Sequence, residues 1–531
     1  MQHLLLTAAA IASFFGSAIS TPTTKSRVET SSGIVVGHPA SNKTHVTEFL
    51  GIRYAEAPVG ELRFAAPKKY QAPPGSVFEA AEWSADCPAV KPPVSSFPNF
   101  TQPSGLRVWK NFAAQNNNSV SEDCLKLNVW TSSAGKAHAK KPVLVFLHGG
   151  RFQIPGPHSP FYNGQYLADA EDVVVVTFNY RLGIFGFAGA PGIEKNAALR
   201  DHRAAVEWVR DNIKGFGGDP SRIVIFGQSA GGAAVDYWSY AWKNDPIVSG
   251  LIPMSGTSLS FIPNTVEYSQ SIWYNVSRTI GCGGAGDDSA SVVACVRSAN
   301  VSAILAAAAK VPGLPSVGLT QATFHPTIDN QTVFADYQQL SEAGAFAKIP
   351  LLLGNTDHED GWYRISGWAA KVNFTNAQWD LFTERSFTCP TSLSAAYRTQ
   401  HNVPTWRYRY HGDWDNLRLY NGSAGLGPRG SAAYHGSDLG LVFGTAQDIS
   451  GLPNSRAENN YTDYVQGAWA AFARDSQRGL TEYGWPKYKP DTASLVELAY
   501  NNSVKPSFVS PSIYDAACPA KNDPLPGRGA F

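Results

Sequence analysis

The sequence predicts an α/β fold with a mostly parallel central sheet flanked by helices. Three observations carry this expectation. Short apolar, β-rich runs recur at 127–130, 143–147, 173–178 and 223–226. Continuous apolar runs suit parallel strands buried on both faces. Between the last two runs lies a helical pattern over 199–214, with Ala204, Ala205, Trp208, Val209 and Ile213 on one stripe and the breaker 215–220 behind it. Strand–helix–strand order implies parallel pairing. The final run ends in Gly227-Gln228-Ser229-Ala230-Gly231, followed by Gly232, Ala233 and Ala234. That is a Gly-x-Ser-x-Gly turn from strand into helix, which presents a serine hydroxyl at its tip.

Along the chain, residues 1–20 read as a secretory leader. A short apolar stretch over 4–12 precedes the small residues Ala18 and Ser20, with a cut expected after Ser20. The stretch is too short to span a bilayer, and no later apolar run reaches membrane length. No stable membrane insertion is therefore expected. The C-terminal 527–531 lacks the apolar tail of a lipid-anchored precursor. Residues 21–30 are polar. Strands are expected over 33–37 and 49–54. Residues 84–120, rich in Pro, Ser and Asn, read as a long loop between Cys87 and Cys124. Residues 260–345 read as mostly helical. Residues 349–354 form the next strand, 362–430 read as irregular and aromatic, and 494–525 read as a closing strand-and-helix unit.

Composition narrows the function. The 531 residues carry a net charge of +1, with 43% apolar and 16% charged side chains. No basic block points to nucleic acid or an anionic membrane. Six cysteines, an even number, suit three disulfides in an oxidising compartment. Asn-x-Ser/Thr sequons stand at Asn42, Asn99, Asn117, Asn275, Asn300, Asn330, Asn373, Asn421, Asn460 and Asn501. Twelve histidines without a paired spacing give no metal site, and no cofactor is expected.

A serine hydroxyl becomes a nucleophile only beside an imidazole base, itself oriented by a buried carboxylate. Ser229 is the candidate nucleophile. Glu359 is the candidate acid, in the loop after the strand at 349–354, with Asp357 and Asp360 as local rivals. His435, in Ala433-Tyr434-His435-Gly436-Ser437-Asp438, is the candidate base. His148-Gly149-Gly150-Arg151-Phe152 follows the run 143–147. Small residues there let backbone N–H groups face a developing oxyanion, and the candidate donors are Gly150, Arg151 and Ala230. The candidate residues 229 to 435 must share one unit, so 21–531 is expected to form a single elaborated domain.

These motifs, with Glu122-Asp123-Cys124-Leu125-Lys126-Leu127-Asn128-Val129, Asn179-Tyr180-Arg181-Leu182-Gly183 and Phe216-Gly217-Gly218-Asp219-Pro220, resemble the type-B carboxylesterase/lipase family. This is the cholinesterase-like branch of the α/β-hydrolases, and the resemblance is strongest to its secreted fungal members. It runs from about 32 to 520. It implies Ser229, Glu359 and His435 as the triad and hydrolysis of a small-molecule ester through an acyl-serine. It also implies the disulfides Cys87–Cys124 and Cys282–Cys295, with Cys389–Cys518 as the third. Arg63–Glu122 and Arg181–Asp219 are the implied structural ion pairs. Arg151 departs from the family's third glycine, and Asp360 stands where a glycine is usual. The rival functions are a lipase with a lid in the Cys87–Cys124 loop, an acyl-transferring enzyme, and a binding or adhesion member. The polar Gln102, Arg107 and Lys110 in that loop favour esterase over lipase. A choline-type site would need an aromatic cage, to which Trp109 is a candidate contributor.

Overall fold

The computed structural model describes residues 26–90, 95–115, 117–313, 319, 321–423 and 426–520. The expected leader over 1–20 and the C-terminal 527–531 lie outside the described residues. Fourteen strands are present among the described residues: β1 Arg27–Thr30, β2 Gly33–Val36, β3 His38–Pro39, β4 Thr47–Arg53, β5 Val77–Glu79, β6 Lys126–Thr131, β7 Lys141–Leu147, β8 Val174–Phe178, β9 Gly218–Gln228, β10 Gly250–Met254, β11 Leu351–Thr356, β12 Thr405–Tyr410, β13 Leu495–Leu498 and β14 Ser507–Val509. An 11-stranded sheet has the order β14-β13-β12-β11-β10-β9-β7-β8-β6-β4-β3, and β1, β2 and β5 form a smaller one. From β8 to β13 the neighbours are parallel.

Alternation along the central strands builds a core on each face of the sheet. Val143, Val145 and Leu147 of β7 pack into one core with the helices Ala197–Asn212 and Ala230–Ala241. Leu144 and Phe146 pack into the other with the helices Gln165–Glu171, Leu439–Phe443 and Arg456–Arg474. Both faces are covered, so every residue of β7, β8 and β10 is buried.

The structure corrects several expectations. The run 127–130 lies in β6, which pairs antiparallel with both β4 and β8. Its continuous burial reflects cover on both faces, not strand direction. The 84–120 segment is no plain loop: the helix Ser104–Phe112 inside it buries Val108 and Trp109. Residues 362–430 are not irregular. They hold the end of the helix Asp360–Ala369, the helices Asn376–Thr383 and Cys389–Gln400, and β12 in the main sheet. Every residue of β12 (Thr-Trp-Arg-Tyr-Arg-Tyr) is buried. Its arginines survive burial because each meets a carboxylate, Arg407 with Asp515 and Arg409 with Asp357.

The six cysteines form Cys87–Cys124, Cys282–Cys295 and Cys389–Cys518, the pairs the resemblance implied. Arg63 grips Glu122, with Nε donating to Oε1 over 2.6 Å, also as implied. Arg181 does not pair with Asp219. It forks onto Asp201 of the helix Ala197–Asn212, with Nε to Oδ2 at 2.8 Å and Nη2 to Oδ1 at 2.7 Å. Asp219 instead caps its own turn, accepting from the Ser221 N–H and Arg222 Nε. Asp201 has the claim because it is fully buried, whereas the Asp219 side chain keeps 18% exposure and finds local donors.

This difference is measurable. Asp201→Ala strands a buried guanidinium and is expected to cost about 3–5 kcal/mol. Asp219→Ala is expected to cost about 1 kcal/mol. Urea-denaturation midpoints of the two variants check it, and equal losses would restore the Arg181–Asp219 pairing.

Candidate active site

The loops after β7, β9 and β11 leave the sheet on the same edge, because those strands are parallel. Ser229 follows β9 with φ 60° and ψ −123°, then opens the helix Ala230–Ala241. Its N–H donates to the Met254 carbonyl at 2.8 Å. The strain at a non-glycine positive φ is tolerable because the surrounding backbones leave no alternative path. A Cβ at Gly231 would lie 2.0 Å from the Leu147 carbonyl oxygen, so only glycine fits there.

The loop after β7 supplies the candidate oxyanion donors. Gly150, Arg151 and Phe152 run through positive φ of 91°, 59° and 57°. Gly150 and Arg151 line a cavity of about 40 Å³ together with Ser229 and His435. Ala230 is not among the lining residues. Its N–H belongs to the first turn of the helix Ala230–Ala241, where donors lack intrahelical partners and the helix dipole favours negative charge. The Arg151 guanidinium is turned to the 321–325 segment, with Nη2 donating to the Gln321 carbonyl at 2.6 Å. His148 stacks on Tyr180 with ring centroids 4.3 Å apart, and burial holds its pKa down at about 4. The imidazole is therefore neutral and structural.

After β11 come three acids, and each finds different partners. Glu359 is fully buried. Its Oε1 accepts the Thr356 N–H at 2.8 Å and its Oε2 lies 2.5 Å from His435 Nδ1. Asp357 meets Arg409 Nε at 2.8 Å and His411. Burial pushes its carboxyl up, but the His411 hydrogen bond and the Arg409 charge hold it far below the usual range. Asp360 meets Arg364 Nε at 2.6 Å and His358 Nδ1 at 2.7 Å. Both rivals line a larger polar cavity of about 490 Å³ that reaches neither Ser229 nor His435.

His435 is clamped between the rings of Tyr363 and Phe387, with centroids 5.1 Å and 4.9 Å away. Its Nε2 has no hydrogen-bond partner among the described residues. Tyr363 lines the same cavity as Ser229. Sequence reasoning missed Tyr363; its only signal was the aromatic pair Trp362-Tyr363 beside the candidate acid. It also passed over Asp438, the last residue of the His435-Gly436-Ser437-Asp438 motif. Asp438 is buried, with Tyr408 Oη 3.3 Å from Oδ2. Burial and then the neighbouring Glu359 charge push its pKa up to about 7. Trp109 lies beneath the cavity wall, stacked on Trp362 with centroids 6.0 Å apart.

A serine at a strained strand–helix turn, an imidazole held by a buried carboxylate, and a glycine loop share one small cavity. Comparison with known proteins gives the family. The model of the carboxylesterase family matches residues 24–378 and 368–513. The chain belongs to the carboxylesterase family. It is an α/β-hydrolase and a carboxylic ester hydrolase. It is 30% identical to secreted lipase 5 of Gibberella zeae, over 92% of this chain and 93% of the relative. It is 30% identical to the chlorogenic acid esterase of Aspergillus niger, over 90% and 91%. It is 32% identical to the acetylcholinesterase of Electrophorus electricus, over 71% and 57%.

Asp438 gives this carboxylesterase a pH-dependent stability. Its carboxyl is neutral in the folded enzyme until about pH 7 but ionises near pH 4 when unfolded. The folded state therefore binds more protons between those values, and stability falls as pH rises from about 4 to 7. The loss is on the order of 4 kcal/mol. Asp438→Asn should flatten that slope. Denaturation midpoints measured across pH 4–7 check it, and a slope unchanged in the variant would refute it.

Proposed function

We propose that the chain is a secreted serine carboxylesterase in which Ser229 is the nucleophile, His435 the base and Glu359 the acid. The observation that carries this reading is the Glu359–His435 pair at 2.5 Å, with His435 and Ser229 lining one cavity. Glu359 orients the imidazole and stabilises its protonated form. Ser229 Oγ turns to His435 Nε2, which has no partner among the described residues. It attacks the acyl carbon while His435 Nε2 takes its proton. The N–H groups of Gly150, Arg151 and Ala230 receive the oxyanion. His435 returns the proton to the leaving alcohol, and water then repeats the cycle on the acyl-serine.

The adhesion reading loses its ground, because such a protein has no use for a strained serine facing an oriented imidazole. Secretion is supported by the leader that the sequence predicts over 1–20 and by six cysteines all in disulfides. All ten sequon asparagines, from Asn42 to Asn501, are exposed and accessible to glycosylation. The continuity of the main sheet from β3 to β14 supports a single domain over 21–531.

Ser229→Ala should lower turnover of simple esters by about 10⁴–10⁶ while the protein stays folded. Near-normal turnover would remove Ser229 from the mechanism. Among the three neighbouring acids, Glu359→Gln should lower kcat by about 10³–10⁴. Asp357→Asn and Asp360→Asn should act chiefly on stability. A larger kcat loss at Asp360 would move the acid by one residue.

A further inference from the structure

Gln228 is 1% exposed, yet neither Oε1 nor Nε2 of its carboxamide has a hydrogen-bond partner among the described residues. Its side chain lines the cavity it shares with Ser229 and His435. Two glycines frame it. A Cβ at Gly149 would lie 3.2 Å from Oε1, and one at Gly436 would lie 3.3 Å from Nε2. The amide thus spans from the oxyanion loop to the residue after His435. Buried amides in native proteins are almost always paired, so an unpaired one at a reaction site calls for a group supplied from outside.

Resting on the triad reading above, we propose that Gln228 selects the leaving group: the enzyme prefers esters whose alcohol carries a second hydroxyl close to the ester oxygen, as in diols, polyols and sugars. Position decides which half of the ester Gln228 reads. His435 delivers the proton to the departing oxygen, so the alcohol lies on the His435–Gly436 side. Gln228 Nε2 faces that side. Chemistry decides what it reads. A carboxamide offers an acceptor and a donor side by side. A hydroxyl is the smallest group that answers both, donating to Oε1 and accepting from Nε2. A plain alkyl alcohol leaves both unmet, and a quaternary ammonium cannot donate to Oε1. The carbon skeleton has an apolar wall to lie against. Phe112 and Trp362 meet edge to face at 4.6 Å, and a Cβ at Gly436 would touch Phe112 at 2.6 Å.

The test compares 2-hydroxyethyl acetate with propyl acetate, which have equal numbers of heavy atoms. Each kcat/KM is divided by the ester's hydroxide-catalysed rate, to remove leaving-group reactivity. The enzyme should favour the hydroxyethyl ester by about ten- to hundredfold. In Gln228→Leu and Gln228→Met the ratio should fall to near unity, with active sites counted by titration with a p-nitrophenyl phosphonate. A wild-type ratio below about twofold overturns the proposal, and so does a ratio that survives in both variants. If neither variant folds, the wild-type ratio alone decides. Ser229→Ala separates the two levels. If that variant stays active on both esters, the triad reading fails. If it is inactive while the wild-type ratio is flat, only the role of Gln228 fails.

Discussion

The tightest constraint in this molecule is backbone against backbone at the end of β9. Gly231 passes so close to the Leu147 carbonyl that even a methyl group has no room. That closeness places the loop after β7 beside the turn after β9, and it holds Ser229 at φ 60°. The parallel order does the rest. With β7, β9, β10 and β11 adjacent and aligned, their carboxyl ends deliver the glycine loop, the serine, the Met254 carbonyl and the acid loop to one rim. The site is assembled by strand direction before any side chain acts.

A second layer of order is electrostatic. Three acids stand within four residues after β11, and unsorted they would repel one another. Each is given its own basic partner: Arg409 and His411 take Asp357, Arg364 and His358 take Asp360, and His435 takes Glu359. The flanking pairs keep the neighbouring charges from competing for His435. Asp438 has no basic partner among the described residues, and burial beside Glu359 pushes its pKa up to about 7.

Much of this was legible in the residues, for identifiable reasons. The runs at 143–147, 173–178 and 223–226 are strands because helices cover both faces, which leaves an unbroken apolar text. β12 was illegible because Arg407 and Arg409 alternate with aromatics, and pattern alone reads charge as exposure. The helix Arg456–Arg474 was passed over although Ser455 and Glu458 form a capping box at its start. Thr375 and Gln378 carry the same readable signal before the helix Asn376–Thr383. Arg181 was matched to the wrong acid because family motifs record residues, while Asp201 lies in a helix between the motifs. At the site, the serine, the histidine and the glycine loop announce themselves by motif. Tyr363 and Gln228 do not, since their importance comes from which cavity they face after folding.

The disulfide Cys389–Cys518 closes the part of the chain that contains β12, His435, β13 and β14. A protease that cuts any one bond inside that stretch cannot release a fragment. The severed ends stay covalently tethered, and the strand pairing of β11 with β12 and of β12 with β13 still holds them in register. A nick in this region becomes a scar and not an amputation. The part of the enzyme that carries His435 is thereby built to outlast the integrity of its own backbone.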